Sequence, residues 1–269
     1  MKIIGLLSDF GLRDSYVAEM KAVILSICPE VRLVDISHEV RKFDVRMGAF
    51  VLASAARWFP DQSIFLAVVD PEVGSERKPL IVRSSRSLYV GPDNGLLMLS
   101  ALREGLTGVY CIRSERYLNE TTSTTFHGRD LFARVVGELA NGASPLDIGV
   151  ETKDYVELKF DRPIIDRGAL ICEAMHVDDF GNIVTNAHVS EIDAMELAHG
   201  RALTLEVGRR RMKLTFVRTY NEIPERTLGC LIGSHGFLEI AMRKRNASRA
   251  TRVSAGSRLR LSVRSGPSC

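Results

Sequence analysis

Apolar and polar positions divide the chain into two stretches with different rhythms. Up to about residue 160, short apolar runs alternate with segments whose apolar residues recur at helical spacing. Residues 3–7, 31–36, 63–69, 78–82, 87–90 and 107–112 read as strands. Residues 15–26 read as a helix with Tyr16, Met20, Val23, Ile24 and Ile27 on one face, and Pro29 follows its end. Asp44 can cap a second helix that runs through Val51, Leu52, Ala55 and Ala56 to Trp58 before Pro60 stops it. A short helix over residues 96–102 follows the turn Gly91-Pro92-Asp93-Asn94-Gly95. Another covers residues 130–139, with Leu131, Val135, Val136 and Leu139 inward and Gly142 and Pro145 beyond it. Alternation of this kind predicts a three-layer α/β domain with a mainly parallel sheet.

The run at residues 63–69 is the most apolar of these strands and fits a strand covered on both faces. It leads into Asp70-Pro71-Glu72-Val73-Gly74, where proline stops the strand and glycine lets the backbone turn. Asp70 is thereby placed at the carboxyl end of a central strand, where open α/β sheets hold ligands. An Asp-Pro turn with Arg77 as a solvated partner accounts for the same residues, and both readings stay open here. Asp9, after the first strand, has the same kind of position.

The rhythm changes near residues 161–168. Beyond them come short strands at residues 169–177, 183–185, 202–207, 212–217, 230–233, 238–241 and 258–263, separated by turn residues such as Gly181-Asn182 and Gly208. Short strands without long helices predict a small β-barrel-like domain. The expected domains are therefore residues 1–165 and 166–269.

Composition narrows the function classes. The chain has 269 residues, 45% hydrophobic and 26% charged, as expected of a globular protein with a sizeable core. A net charge of +3 is too mild to imply nucleic acid, and no apolar run approaches the roughly 20 residues that span a bilayer. The start of the chain has no signal-peptide pattern and reads as a first strand. Five widely spaced cysteines, Cys28, Cys111, Cys172, Cys230 and Cys269, form no Cys-x-x-Cys pair. Free thiols in a cytoplasmic protein are expected, without a disulfide framework or zinc site. The arginine-rich end from Arg243 onward reads as a solvated face, since no aromatics are interleaved for stacking on bases.

There is no G-x-G-x-x-G, no Walker sequence and no G-x-S-x-G elbow, which argues against nucleotide-driven, dinucleotide-dependent and α/β-hydrolase chemistry. What remains are polar residues in loops after strands: Asp9, Asp70, Arg77 and His127. A histidine, a carboxylate and a cation together can orient and deprotonate a water. Asp178-Asp179-Phe180-Gly181-Asn182 and Ser234-His235-Gly236 are consistent with plain turns when taken singly.

Taken in order, six segments carry a resemblance. They are Ser8-Asp9-Phe10-Gly11; Asp70-Pro71-x-Val73-Gly74 with Arg77; Gly91-Pro92-Asp93-Asn94-Gly95; Phe126-His127-Gly128-Arg129-Asp130; Asp178-x-Phe180-Gly181-Asn182-x-x-Thr185-Asn186; and Ser234-x-Gly236-x-Leu238-Glu239-Ile240-Ala241 with Asn246-Ala247. Together they resemble the S-adenosylmethionine hydroxide adenosyltransferases, relatives of the enzymes that fluorinate and chlorinate the same substrate. The resemblance covers nearly the whole chain. It implies an amino-terminal α/β domain and a carboxy-terminal barrel-like domain. It also implies a homotrimer whose active sites lie between the amino domain of one subunit and the carboxyl domain of the next. The implied reaction is displacement of methionine by water at the ribose 5′ carbon, giving adenosine and methionine. S-adenosylmethionine is then the substrate, with no cofactor, metal, nucleic acid or membrane partner.

Carried over by motif, Asp9 is implied to hold the ribose hydroxyls, Phe180 and Tyr220 to sandwich adenine, and Asn182 to read its edge. Glu239, Asn246 and Ala247 belong to the same substrate site. Asp178 is implied to pair with the methionine ammonium and Ser234 with its carboxylate, and Phe43 to form an apolar wall. Asp70, Arg77 and His127 match the water-activating residues. A cation beside Asp70 suits it to orienting the water, and neutral His127 is the better acceptor near pH 7; the acceptor stays open between the two. Halide-using relatives carry tyrosine in place of this aspartate and lack this histidine, so the residues here point to water. A non-catalytic S-adenosylmethionine or adenosine sensor is the alternative reading.

Overall fold

The computed structural model describes residues 1–113, 115, 117 and 125–263. Cys269, expected as a free thiol, falls outside them. The chain divides into two compact units, Met1–Leu158 and Lys159–Cys269. The change expected near residue 165 thus falls between Leu158 and Lys159.

The amino-terminal unit contains β1 (Lys2–Ser8), α1 (Tyr16–Ile27), β2 (Val31–Ser37), α2 (Val45–Ala56), β3 (Ile64–Val68), β4 (Pro79–Ser84), β5 (Leu88–Pro92), α3 (Met98–Arg103), β6 (Leu106–Ile112), α4 (Arg134–Ala140), α5 (Pro145–Ile148) and β7 (Gly149–Glu151). The strands form one sheet in the order β2-β1-β3-β5-β4-β6-β7. It is parallel from β2 through β5 and antiparallel beyond. The reason is local: α1 and α2 supply crossovers, whereas β4 and β5 are joined by a tight turn at residues 85–87 that reverses the chain.

Alternation along the central strands divides their side chains between two apolar layers. Ile4, Leu6, Ile64, Leu66 and Val68 pack with Met20 and Ile24 of α1 and Val135, Val136 and Leu139 of α4. Leu7, Phe65, Ala67 and Val69 pack with Ala49, Leu52 and Ala56 of α2 and Met98 and Ala101 of α3. Burial of each large aliphatic side chain contributes about 1.5–3 kcal/mol. Asp44 caps α2 as its sequence predicts, accepting from the Met47 amide at 3.0 Å. Where a plain α-helix was expected from residue 130, residues 128–133 form a π-helical turn before α4. Its widened geometry begins immediately after His127, and such turns are frequent at functional sites.

The carboxy-terminal unit contains β8 (Ile164–Asp166), β9 (Ala169–Val177), β10 (Ile183–His188), α6 (Val189–Asp193), β11 (Ala202–Val207), β12 (Arg210–Phe216), β13 (Leu228–Ile232), β14 (Phe237–Ala241), α7 (Ala247–Thr251) and β15 (Arg258–Val263). Seven of these strands close into a barrel in the order β9-β10-β14-β13-β12-β11-β15, and β8 pairs with the first residues of β9, on the edge whose later residues pair with β10. Closure removes the exposed edges that an open sheet of short strands would leave. Inward positions alternate: Leu170, Cys172 and Ala174 on β9, Leu203 and Leu205 on β11, Leu259 and Leu261 on β15. β12 and β13 pair in parallel, which requires a longer connection, and that connection carries Tyr220.

Candidate active site

Three of the candidate residues of the amino-terminal unit, Asp9, Asp70 and Arg77, lie in loops at the carboxyl ends of its parallel strands β1 and β3, whereas His127 comes after the antiparallel β6. Asp9 comes directly after β1 and Asp70 two residues after β3. Asn94, two residues after β5, donates from Nδ2 to the Val69 carbonyl at 2.8 Å, bracing the start of the Asp70 loop.

Asp70, Arg77 and His127 form one hydrogen-bonded network. Arg77 Nε lies 3.1 and 3.0 Å from the two Asp70 oxygens, and Nη2 is 2.5 Å from Oδ2. The same Nη2 lies 2.8 Å from His127 Nδ1. The side chains of Arg77 and Asp70 are only 4% and 5% exposed, so the ion pair is shielded from solvent. Arg77 also packs over Phe132, 5.2 Å from the ring centroid. A guanidinium only donates, so Nδ1 must accept, and the ring is then the neutral tautomer with its proton on Nε2. Burial pushes the His127 pKa down from the ordinary histidine value, and the Arg77 charge pushes the same way.

Asp70 and His127 border a cavity of about 280 Å³ whose other walls include Phe10, Tyr16, Val73 and Phe126. Phe10, Tyr16 and Phe126 meet edge to face, with centroids 5.1–5.9 Å apart. Asp9 and Phe43 are joined elsewhere on this unit: the Phe43 amide donates to Asp9 Oδ2 at 2.9 Å, and Lys42 Nζ donates to the Asp9 carbonyl. Phe43 has φ +66° and is 67% exposed, whereas Asp9 is buried.

The carboxy-terminal unit has its own cavity, of about 910 Å³. Asp178, Phe180, Asn182, Tyr220 and Asn246 line it, so the structure brings together five of the residues singled out from sequence. The turn between β9 and β10 organises this wall. Both Asp178 oxygens accept from Asn182, Oδ1 from the amide at 2.8 Å and Oδ2 from Nδ2 at 2.9 Å. Gly181 adopts φ +85° and faces Asn246 so closely that a Cβ would lie 2.1 Å from Asn246 Cγ. Asn246 in turn caps α7, accepting from the Arg249 amide at 2.7 Å. Glu239 lies buried behind the wall, with the Tyr220 hydroxyl donating to its Oε2 at 2.5 Å. Burial pushes the Glu239 pKa up, and the Tyr220 bond opposes that rise.

Two profiles decide the family. The SAM hydroxide adenosyltransferase N-terminal domain matches residues 4–149, and the SAM hydroxide adenosyltransferase C-terminal domain matches residues 172–260. The chain belongs to the SAM hydroxide adenosyltransferase family. Among its relatives, the (R)-S-adenosyl-L-methionine hydrolase of Methanocaldococcus jannaschii is 35% identical over 267 residues, covering 94% of this chain and 93% of the relative. The hydrolase of the same name from Salinispora tropica is 32% identical and covers 97% of each chain. A crystal structure of an uncharacterized protein from Thermotoga maritima superposes with a TM-score of 0.91 at 33% identity, covering 96% of this chain and 99% of that one.

Not every residue that the family resemblance singled out faces a cavity. Ser234 is exposed on the β13–β14 turn, with its hydroxyl 3.5 Å from His235 Nδ1. Ala247 is fully buried in the barrel core. The arginine-rich stretch, expected as a solvated face, keeps Lys244, Arg245 and Arg249 exposed, and these residues together with Arg243 also border the larger cavity. The run of cations in sequence was the available signal, but it reads the same whether it faces solvent or a cavity. Among the described residues, no cluster of three or more His, Cys, Asp or Glu could hold a metal ion, and no helix is long and apolar enough to cross a membrane.

Proposed function

We propose that this chain hydrolyses S-adenosyl-L-methionine to adenosine and L-methionine by attack of water at the ribose 5′ carbon. The observation that carries the reading is the buried Asp70–Arg77–His127 network beside a cavity with apolar walls. Attack forms the O–C5′ bond and breaks the C5′–S bond. The electron pair goes to the sulfonium sulfur, which leaves as a neutral thioether. No acid is needed on that side, and the water must lose one proton.

The hydrogen bonding favours one division of labour. While Nδ1 accepts from Arg77, His127 offers only an N–H at Nε2. His127 then donates to the water oxygen, and the Asp70 carboxylate is the acceptor for the departing proton. Holding oxygen, carbon and sulfur in line supplies much of the rate. A carboxylate at this position repels a halide nucleophile and favours the cationic substrate.

In this reading Asp9 accepts from the ribose hydroxyls, and Phe180 and Tyr220 stack on adenine. With Asn182 Nδ2 committed to Asp178, Asn182 Oδ1 is the atom left to accept from the adenine amino group. Each Asp178 oxygen keeps a lone pair for the methionine ammonium, and Ser234 meets the carboxylate. The assembly proposed is a homotrimer in which the amino-terminal unit of one subunit and the carboxy-terminal unit of the next complete each site. The exposure of Phe43 and Phe180 supports it, since both rings would then be covered. Sedimentation velocity giving three times the chain mass is the expected result; a monomer would sink this part. A cytoplasmic location belongs to the same reading, the described cysteines all being free thiols.

The test is incubation with S-adenosyl-L-methionine in heavy-oxygen water, alongside Asp70→Ala and His127→Ala variants. The expected result is label in the adenosine 5′-hydroxyl, with turnover at least about 100-fold lower in each variant. Binding without any adenosine above the enzyme-free control would favour the sensor reading. A 5′-halogenated product on adding fluoride or chloride would favour the halide reading.

A further inference from the structure

A second polar network lies beneath the Asp9 loop. Ser8 Oγ is 2.7 Å from His38 Nδ1, and His38 Nε2 is 3.1 Å from Asp35 Oδ1. Asp35 also pairs with Lys21 of α1 at 2.7 Å. The order serine, histidine, aspartate matches a hydrolytic triad, but Ser8 has no exposed surface and His38 is 3% exposed, so this hydroxyl cannot reach a substrate. Its other contact shows what it touches instead: Ser8 Oγ accepts from the Phe10 amide at 3.3 Å. That amide lies on the far side of Asp9. The hydroxyl therefore grips the backbone on both sides of the Asp9 carboxylate.

We propose that His38 is a positioning residue that, through Ser8, fixes the direction in which Asp9 presents its carboxylate to the ribose hydroxyls. The proposal rests on the reading of Asp9 given above. β1 and β2 are parallel neighbours, so their following loops leave side by side. The Gly11 amide donates to the His38 carbonyl at 2.7 Å, and the Val40 amide to the Ser8 carbonyl at 3.4 Å. The Phe43 amide then holds Asp9 Oδ2 from the second loop. His38 adds a buried tie between these two loops at Ser8, next to the contacts that Lys42 and Phe43 make to Asp9 itself.

Donor and acceptor accounting agrees with a neutral ring. Asp35 can only accept when ionised, so Nε2 carries the proton, and the Ser8 hydroxyl donates to Nδ1. The oxygen's lone pairs stay free for the Phe10 amide. A doubly protonated ring would donate into Ser8 Oγ and leave the hydroxyl proton without its acceptor. The charged groups acting on the ring are Asp35 and Glu39, which favour its protonation, and Lys21, which opposes it; burial outweighs them and holds its pKa below the ordinary value.

The test measures binding, so turnover is not required. Affinity for adenosine and for 2′-deoxyadenosine is measured by calorimetry in the wild-type protein and in Asp9→Asn, Ser8→Ala, His38→Ala and His38→Asn, with melting temperatures recorded for each. Asp9→Asn should abolish the preference for the full ribose. Ser8→Ala and His38→Ala should cut that preference about tenfold, the size of one lost hydrogen bond to a charged group. His38→Asn places an amide oxygen near the position of Nδ1 and should restore most of it. A purely structural role would lower melting temperature and weaken both ligands equally, leaving the preference intact. Preference lost in Asp9→Asn but kept in Ser8→Ala and His38→Ala would overturn the relay alone. Preference kept in Asp9→Asn would overturn the ribose reading, and the relay with it.

Discussion

Arg77 Nη2 donates to His127 Nδ1 across 2.8 Å, and that contact sets which face of the imidazole is available. The arginine that pairs with Asp70 also occupies the histidine's lone pair, so one guanidinium orients both neighbours. Three consequences of this and of the second cavity can be measured.

Acid should act on the site through His127. Burial and the Arg77 charge lower its folded pKa from the ordinary 6.5, against the smaller opposing effects of Asp70 and Asp130. A depressed histidine favours folding in its neutral form: this contribution is complete above the unfolded pKa and is lost as pH falls through the folded one. Ring titration by NMR should give a midpoint below 6.5, and the acid limb of kcat should lie there too. Arg77→Met removes one cause of the depression, so the midpoint should move up while activity falls. A wild-type midpoint at or above 6.5 would contradict the assignment.

The two aromatic residues of the larger cavity should separate in their effects. Tyr220→Phe leaves Glu239 buried without its hydroxyl donor and should cost about 1–3 kcal/mol of stability, with modest loss of adenosine affinity. Phe180 is 82% exposed, so Phe180→Ala should leave the melting temperature nearly unchanged. It should nonetheless weaken adenosine binding by about 1–3 kcal/mol, the value of one stacked base. Melting and calorimetry on both variants check this; equal effects on both readouts would count against the arrangement.

Gly181→Ala should be more damaging than its backbone strain alone. Gly200 has the same φ of +85° but open space around it, so Gly200→Ala is the control and should cost about 1–2 kcal/mol. At Gly181 the added carbon would also push Asn246 out of position, with loss of the α7 cap and of nucleoside binding. Equal melting temperatures for the two variants would show that Asn246 yields freely.

Much of this could be read along the chain because burial leaves a periodic trace. β3, β9 and β15 read as strands, and α1 and α2 as helices, because each puts apolar residues at the spacing its own geometry requires. The elements missing from that reading are short. β7 and β8 have three residues each, α5 four, and α6 and α7 five each, too few for either period to show. The π-helical turn at residues 128–133 leaves no distinct pattern either, since it differs from an α-helix only in hydrogen-bond register.

Site residues follow the same division. Asp9 and Asp70 were visible because each sits in a loop that follows a strand, whereas Phe180 and Asn182 entered only through the family resemblance, their turn being unremarkable by itself. Ser8, His38 and Asp35 were not visible as a unit, because β1 and β2 come together only when the sheet forms.

By itself, then, the sequence determined the two-part architecture, the polar loops that follow its strands and, through six ordered segments, the family. Those properties depend on local period and on residues near one another in the chain. Tertiary structure decided that Arg77 faces His127 Nδ1 as well as Asp70, that Glu239 lies behind Tyr220, and that the arginine-rich run borders a cavity. These depend on distances between side chains from separate elements, which packing sets and no spacing along the chain records.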